Sequence, residues 1–321
     1  MLGAIIGDIV GSRWEFDPTN DYNFEFFGED CSFTDDTICT IAIADALLKG
    51  KDFGESMHDW CNRYPHPMGG YGGSFIRWVQ SEDPKPYNSF GNGAAMRVSP
   101  VAHWFNEEYE MLDAAAGTAM PTHNHDEGVK GAQTVALAIF KAMQYNRQRY
   151  QEASLHIDEI IEECVKFSGY DIHMSRSSVL NKFNETCQGT VPVALKIISI
   201  SHSFEDAIRL AVSLGADADT LGAIVGSMAE AIWGIPFEIR NRVEEYLPED
   251  MQHIIWEFYH ERPRSFKPLI DTTFHRISFS EASWDLLEDD ERKELKDLVL
   301  TEKQSKRRLM AERAKARNEW K

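Results

Sequence analysis

Apolar residues recur every three to four positions over much of this chain. The segments Ile38 to Leu48, Ala132 to Met143, Ile157 to Phe167, Val191 to Ile200, Ala207 to Leu214 and Leu221 to Trp233 each place an apolar stripe on one helical face. Alternating patterns that suit a half-buried strand are scarce, and only 265–270 and 273–279 offer weak ones. The pattern predicts a compact, multi-helix, all-α domain, with glycine- and proline-containing loops at 65–74 and 83–93. Two predicted helices carry glycine at four-residue intervals: Gly3, Gly7 and Gly11, then Gly222 and Gly226. Glycine inside a helix costs about 1 kcal/mol relative to alanine. A row of them on one face is explained by close approach of a second helix, so both ends of the domain are expected to pack tightly at its centre.

Beyond residue 280 the pattern changes. Residues 281–291 hold six acids and no base, whereas 301–321 hold eight bases against three acids. Leu286, Leu287, Leu295, Leu298 and Leu309 fall at amphipathic helical spacing. The expected division is therefore a main domain over 1–262, then a linker and C-terminal helical extension over 263–321 that docks on its own domain.

With 43% hydrophobic and 26% charged residues among 321, the chain can bury a substantial core. Its net charge of −19 argues against a duplex nucleic-acid partner, which calls for a basic surface. No apolar run suits a membrane helix. The apolar start has no basic flank and is broken by Asp8, unlike a secretory signal. Five cysteines, odd in number and without a CxxC pair, argue against a disulfide framework or zinc ribbon and for a reducing, cytoplasmic setting.

The strongest chemical signal is Phe33-Thr34-Asp35-Asp36-Thr37, immediately before a predicted helix. Capping accounts for one threonine or aspartate there. Two adjacent acids flanked by hydroxyls exceed a cap, and two such charges repel unless a cation lies between them. Gly215-Ala-Asp217-Ala-Asp219-Thr220-Leu-Gly222 repeats the arrangement at another helix start. Asp and Thr oxygens are hard donors, suited to Mg²⁺, Ca²⁺ or Mn²⁺ over zinc. If the two clusters face each other they would hold two ions side by side. Glu15 follows the glycine-lined helix into a loop. Two glycine-rich stretches, Gly69 to Ser74 and Asn88 to Gly93, each lead into a predicted helix, where backbone N–H groups could cradle phosphate. Thr122-His123-Asn124-His125-Asp126 lacks a further soft ligand, which favours structural or substrate-contacting histidines over a zinc site.

In this order, Gly3 to Ser12 with Glu15, Phe33 to Thr37, Gly91-Asn92-Gly93-Ala94-Ala95-Met96-Arg97, Thr122-His123 and Gly215 to Gly222 resemble the ADP-ribosylglycohydrolase family, up to about residue 262. The resemblance implies an all-α hydrolase with a binuclear Mg²⁺ or Mn²⁺ centre that cleaves ADP-ribose from an acceptor, a protein side chain first of all. Thr34, Asp35, Asp36, Asp217, Asp219 and Thr220 would be metal ligands, with Asp36 and Asp219 essential to catalysis. Glu15 would act from a mobile loop on metal or on the attacking water. Gly72, Gly73, Ser74, Ser89 and Gly91 would hold the diphosphate, Phe90 would stack on adenine, and Asn92 and His123 would shape the ribose pocket. Arginine-directed members tend to carry an acid in the loop before the first glycine run; Pro65-His66-Pro67-Met68-Gly69 has none, and Asp126 stands near a position where a proline is often seen. The acceptor and the oligomeric state stay open at this stage. A small or nucleic-acid-linked ADP-ribosyl compound as substrate, an immunity protein against an ADP-ribosylating toxin, and a non-catalytic ADP-ribose binder are the rival readings.

Overall fold

A computed structural model describes residues 1–147, 152–262, 308–309 and 311–320. Fifteen α-helices lie within 1–262: α1 (Leu2–Gly11), α2 (Asp35–Lys49), α3 (Phe53–Arg63), α4 (Gly73–Val79), α5 (Gly93–Met96), α6 (Ser99–Trp104), α7 (Glu108–Ala119), α8 (Asp126–Arg147), α9 (Ile157–Ser168), α10 (Arg176–Val179), α11 (Cys187–Ile200), α12 (Phe204–Val212), α13 (Ala218–Trp233), α14 (Phe237–Val243) and α15 (Glu249–Glu261). The six segments singled out by periodicity fall within or across α2, α8, α9, α11, α12 and α13. The described residues form no strand, only an isolated bridge between Gly91 and Thr186. The two weak strand candidates at 265–270 and 273–279 lie outside the described residues, as does most of the acidic stretch and amphipathic pattern of the extension.

The centre of the molecule is the antiparallel pair α1 and α13. Every residue of α1 is buried, and so is α13 from Ala218 to Ile232. The pair closes through its glycines. A Cβ built on Gly3 would lie 2.2 Å from the Gly226 carbonyl oxygen, one on Gly7 1.9 Å from that of Gly222, and one on Gly11 2.3 Å from that of Ala218. These separations admit no side chain, so the glycine rows are the contact surface itself. The far end is pinned by buried Glu230 of α13, which accepts from the Gly3 N–H at 2.8 Å and from the Tyr259 hydroxyl of α15 at 2.6 Å.

Around this pair α8, the longest helix among the described residues at 22, packs against α13, α5, α6, α7, α9 and α11. Helix α2 lies beside α1, with α3 and α15 outside it. Thr34 caps α2, its hydroxyl accepting from the Asp36 N–H, and Gly50 ends the helix in the left-handed region at φ +62°. The starts of α2 and α13 are thereby brought to the Gly11 end of α1. No helix among the described residues is long and apolar enough to cross a membrane.

Candidate active site

The site forms where three helix ends meet. Asp8 projects from the last turn of α1 toward the start of α2. Its carboxylate accepts the backbone N–H groups of Thr34 at 3.0 Å and Thr37 at 3.1 Å, together with both threonine hydroxyls. Asp8 thus holds α2 in register on α1. Thr220, in the first turn of α13, donates its hydroxyl to Asp36 Oδ2 at 3.1 Å and joins the two predicted clusters directly.

Five carboxylates converge there. Oxygens of Asp8, Asp36 and Asp219 lie within 4.8 Å of one another, and oxygens of Glu15, Asp217 and Asp219 do the same. Asp219 is common to both groups. Asp8, Asp36, Asp217 and Asp219 are buried, while Glu15 is partly exposed. No described cation pairs with any of them. Asp36 Oδ1, Asp219 Oδ1 and Glu15 Oε2 are buried oxygens without a hydrogen-bond donor.

The electrostatics follow from this geometry. Burial, opposed by the hydrogen bonds of Thr37 and Thr34, leaves Asp8 raised to about 6. Burial likewise raises Asp217 to about 6, despite the Asn92 amide that donates to its Oδ2 at 2.6 Å. Glu15 is pushed up to about 8 by burial and by the Asp219 and Asp8 charges. Asp36 and Asp219 are held well above the ordinary carboxylate range by burial, then by each other's neighbourhood of acids. The site suits a divalent cation, which would relieve this crowding: the donors are all hard oxygens, three of them are orphaned, and no described cysteine or histidine joins either group.

The remaining expected residues fall as follows. Asp35 is half-buried beside the cluster but in neither group; its carboxyl is raised by burial, the Cys39 thiol and Asp219. The hydroxyls of Thr34 and Thr220 are engaged by Asp8 and Asp36. Glu15 is backed by the loop before α4: Gly69, at φ +74°, sits so close that a Cβ there would come 2.5 Å from Glu15 Oε2. Gly72, Gly73 and Ser74 are exposed on that same loop and the start of α4, and Ser74 Oγ accepts from Arg77. Ser89 Oγ accepts the Gly91 N–H at 3.1 Å. Phe90 is 45% exposed, its ring edge-on to His125 at 5.4 Å. Asn92 is buried and links this second loop to Asp217.

His123 is buried behind the second loop. Arg97 donates to Thr122 Oγ1 at 2.9 Å, and Thr122 Oγ1 meets His123 Nδ1 at 2.7 Å. Burial and the Arg97 charge hold the imidazole well below its usual pKa, hence neutral. Its Nε2 faces Gly91 and Gly93: Cβ atoms built there would lie 3.2 and 3.1 Å from Nε2. Glycine at those positions is what lets the chain pass the ring.

Asp8 is the one member of the carboxylate groups that the site residues read from the sequence omit; Glu15 is among them as a catalytic residue, not a metal ligand. The available signal for Asp8 was its position: an acid interrupting an otherwise apolar glycine-lined helix, one turn before Gly11.

Comparisons with known proteins identify the family and the fold. Residues 1–267 match the ADP-ribosylglycohydrolase family. The chain is 24% identical to ADP-ribosylhydrolase ARH3 of Xenopus tropicalis, covering 83% of this chain and 96% of that one. It is 27% identical to the ADP-ribosylarginine hydrolase Tri1 of Pseudomonas putida, over 73% of this chain and 70% of the relative. A solved chain from an ADP-ribosylglycohydrolase-related protein complex superposes with a TM-score of 0.61 at 25% identity, covering 82% of this chain and 96% of that chain. This chain belongs to the ADP-ribosylglycohydrolase family of enzymes.

Proposed function

We propose that the chain hydrolyses the glycosidic bond between ADP-ribose and a protein side chain, assisted by two divalent cations, Mg²⁺ or Mn²⁺. The observation that carries this reading is the pair of carboxylate groups sharing Asp219, with buried oxygens that no donor satisfies. Asp8, Asp36, Asp217 and Asp219 would hold the cations, with Asp35, Thr34 and Thr220 beside them and Glu15 at the edge, toward the attacking water. When bound, such ions supply Lewis-acid charge at the ribose end of the substrate.

The chain's own residues account for the rest. Glu15, at the exposed edge of the cluster, takes a proton from the incoming water as its oxygen bonds to the anomeric carbon. The bond from that carbon to the acceptor breaks, and Glu15 gives up the proton it took, which balances the one the acceptor carries away. Charge in the transition state spreads over the ribose ring as in other glycoside cleavage. The exposed N–H groups at Gly72, Gly73 and Ser74, with Ser89 and Gly91, face the diphosphate; Phe90 offers its open ring to adenine. Asn92 and the neutral His123 bound the ribose. Five buried cysteines, all free, fit a reducing cytoplasmic setting. The test is release of ADP-ribose from peptides ADP-ribosylated on serine or on arginine, with Mg²⁺ or Mn²⁺ present. Turnover of either supports the reading and names the acceptor; cleavage of neither, with ADP-ribose still bound, would make the chain a binding protein.

A further inference from the structure

The C-terminal helix over 311–320 lies beyond the family match, which ends at residue 267, yet it reaches the loop that carries Glu15. Its Arg317 inserts between Asp206, the third residue of α12, and Tyr22, in the middle of that loop. Arg317 Nη1 lies 2.6 Å from Asp206 Oδ1, and its guanidinium stacks over the Tyr22 ring at 5.0 Å. The Tyr22 hydroxyl donates to the same carboxylate at 2.6 Å. Asp206 is 3% exposed and also accepts from the His202 backbone and faces the His202 ring. One buried carboxylate therefore ties together the C-terminal helix, α12 and the Glu15 loop.

The tie continues toward Glu15. Arg209, one turn further along α12, donates to the Tyr22 and Phe24 carbonyls and lies over the Phe24 and Phe26 rings. Phe24 meets the Trp14 ring edge-on at 6.1 Å, and Trp14 precedes Glu15. Asn20 donates to the Ser213 carbonyl, in the turn that leads to Asp217. The loop's far end is Thr34-Asp35-Asp36 itself. The helix is held independently at its other positions: Trp320 is 3% exposed with Lys196 over its ring at 5.8 Å, and Arg313 donates to the Ser154 carbonyl at 3.0 Å. A pendant helix would bury neither a tryptophan nor an arginine.

We propose that the C-terminal helix is a strap, and that Arg317 is a positioning residue which, through Tyr22 and Asp206, fixes the 16–31 loop and so sets Glu15 against the carboxylate cluster. The proposal rests on the reading of Glu15 as the residue that serves the attacking water. A loosened loop leaves the α1, α2 and α13 carboxylates in place, so the loss falls on turnover and spares cation affinity.

The test compares full-length wild type with Arg317→Ala, Arg317→Lys and Trp320→Ala, following hydrogen exchange by mass spectrometry together with steady-state kinetics. In Arg317→Ala, exchange over 16–31 rises while α13 stays protected, and kcat falls about tenfold with cation affinity and KM nearly unchanged. Arg317→Lys keeps the charge and recovers part of both effects. Trp320→Ala, which loosens the strap away from Tyr22, moves loop exchange in the same direction. Unchanged exchange over 16–31 in both alanine variants, with the strap peptides themselves deprotected, overturns the proposal. Faster loop exchange in a chain whose wild type cleaves no ADP-ribosyl substrate refutes the hydrolase reading and leaves the strap standing.

Discussion

Asp8 and Asp36 sit in one carboxylate group but are built for different work, and substitution should separate them. Asp8 satisfies the buried Thr34 and Thr37 N–H groups. Asp8→Ala strands both donors, and a stranded buried donor costs about 1–3 kcal/mol, so denaturant unfolding should show a loss of about 2 kcal/mol or more. Asp36 instead carries an oxygen with no donor in a crowd of like charges. Asp36→Asn should lose cation binding and hydrolysis, while the cation-free protein unfolds at the same temperature as wild type or higher. A large drop in that temperature would mean Asp36 is structural. Phe90 tests the opposite edge of the site. Its ring is largely free of core contacts, so Phe90→Ala should leave the melting temperature alone and weaken ADP-ribose binding by about 1–3 kcal/mol, the value of a base stacked on an aromatic ring. At this scale the sequence was read in part. Paired acids with flanking hydroxyls announce Asp35, Asp36, Asp217 and Asp219 because a cap needs only one of them. Asp8 escapes because its one local mark, an acid in an apolar helix, names no partner; its partners are 26 and 29 residues away and become visible only when α2 is laid on α1.

Among the elements, α1 and α13 decide whether a site exists at all, since their register sets which carboxylates face each other. Gly7→Ala would drive a methyl group to 1.9 Å from the Gly222 carbonyl oxygen, backbone that cannot move aside alone. The expected cost is about 3 kcal/mol or more of stability, read from the denaturation midpoint, with cation affinity falling alongside. Gly72→Ala is the control, because its Cβ would meet nothing within 4 Å. Equal tolerance of both changes would contradict the helix pair described here. These two helices were legible because five glycines at four-residue spacing cannot be explained by helix propensity. The strap was legible only as a helix of reversed charge. That Arg317 seeks Asp206, 111 positions earlier, has no local signature, and neither does the Arg209 clamp on the carbonyls of the loop.

For the molecule as a whole, the buried acids couple stability to pH and to cations. Burial raises Asp8 and Asp217 to about 6 and Glu15 to about 8, so the folded cation-free protein holds protons more tightly than the unfolded chain. Their contribution to stability is therefore greatest near pH ~4, the ordinary carboxylate range, and is lost as pH rises through 6 to 8. Cations that bind only the folded state oppose this loss, and bind better as the carboxylates ionise. The melting temperature of chelator-treated protein should fall from pH 5 to pH 8, and added Mg²⁺ or Mn²⁺ should raise it more at pH 8 than at pH 5. A cation-free protein that grows more stable across that window would show the carboxylates to be satisfied without metal. The central claim, that this carboxylate cluster is a cation site serving ADP-ribose cleavage, is reached most directly by calorimetric titration of Mn²⁺ into chelator-treated wild type, with ADP-ribose release measured on the same sample. The account predicts saturable binding of about two ions per chain, abolished in Asp219→Asn because that residue serves both groups, and turnover that appears only as the sites fill. Absence of heat and of turnover, or turnover unaffected by the chelator, would return these aspartates to the role of helix caps.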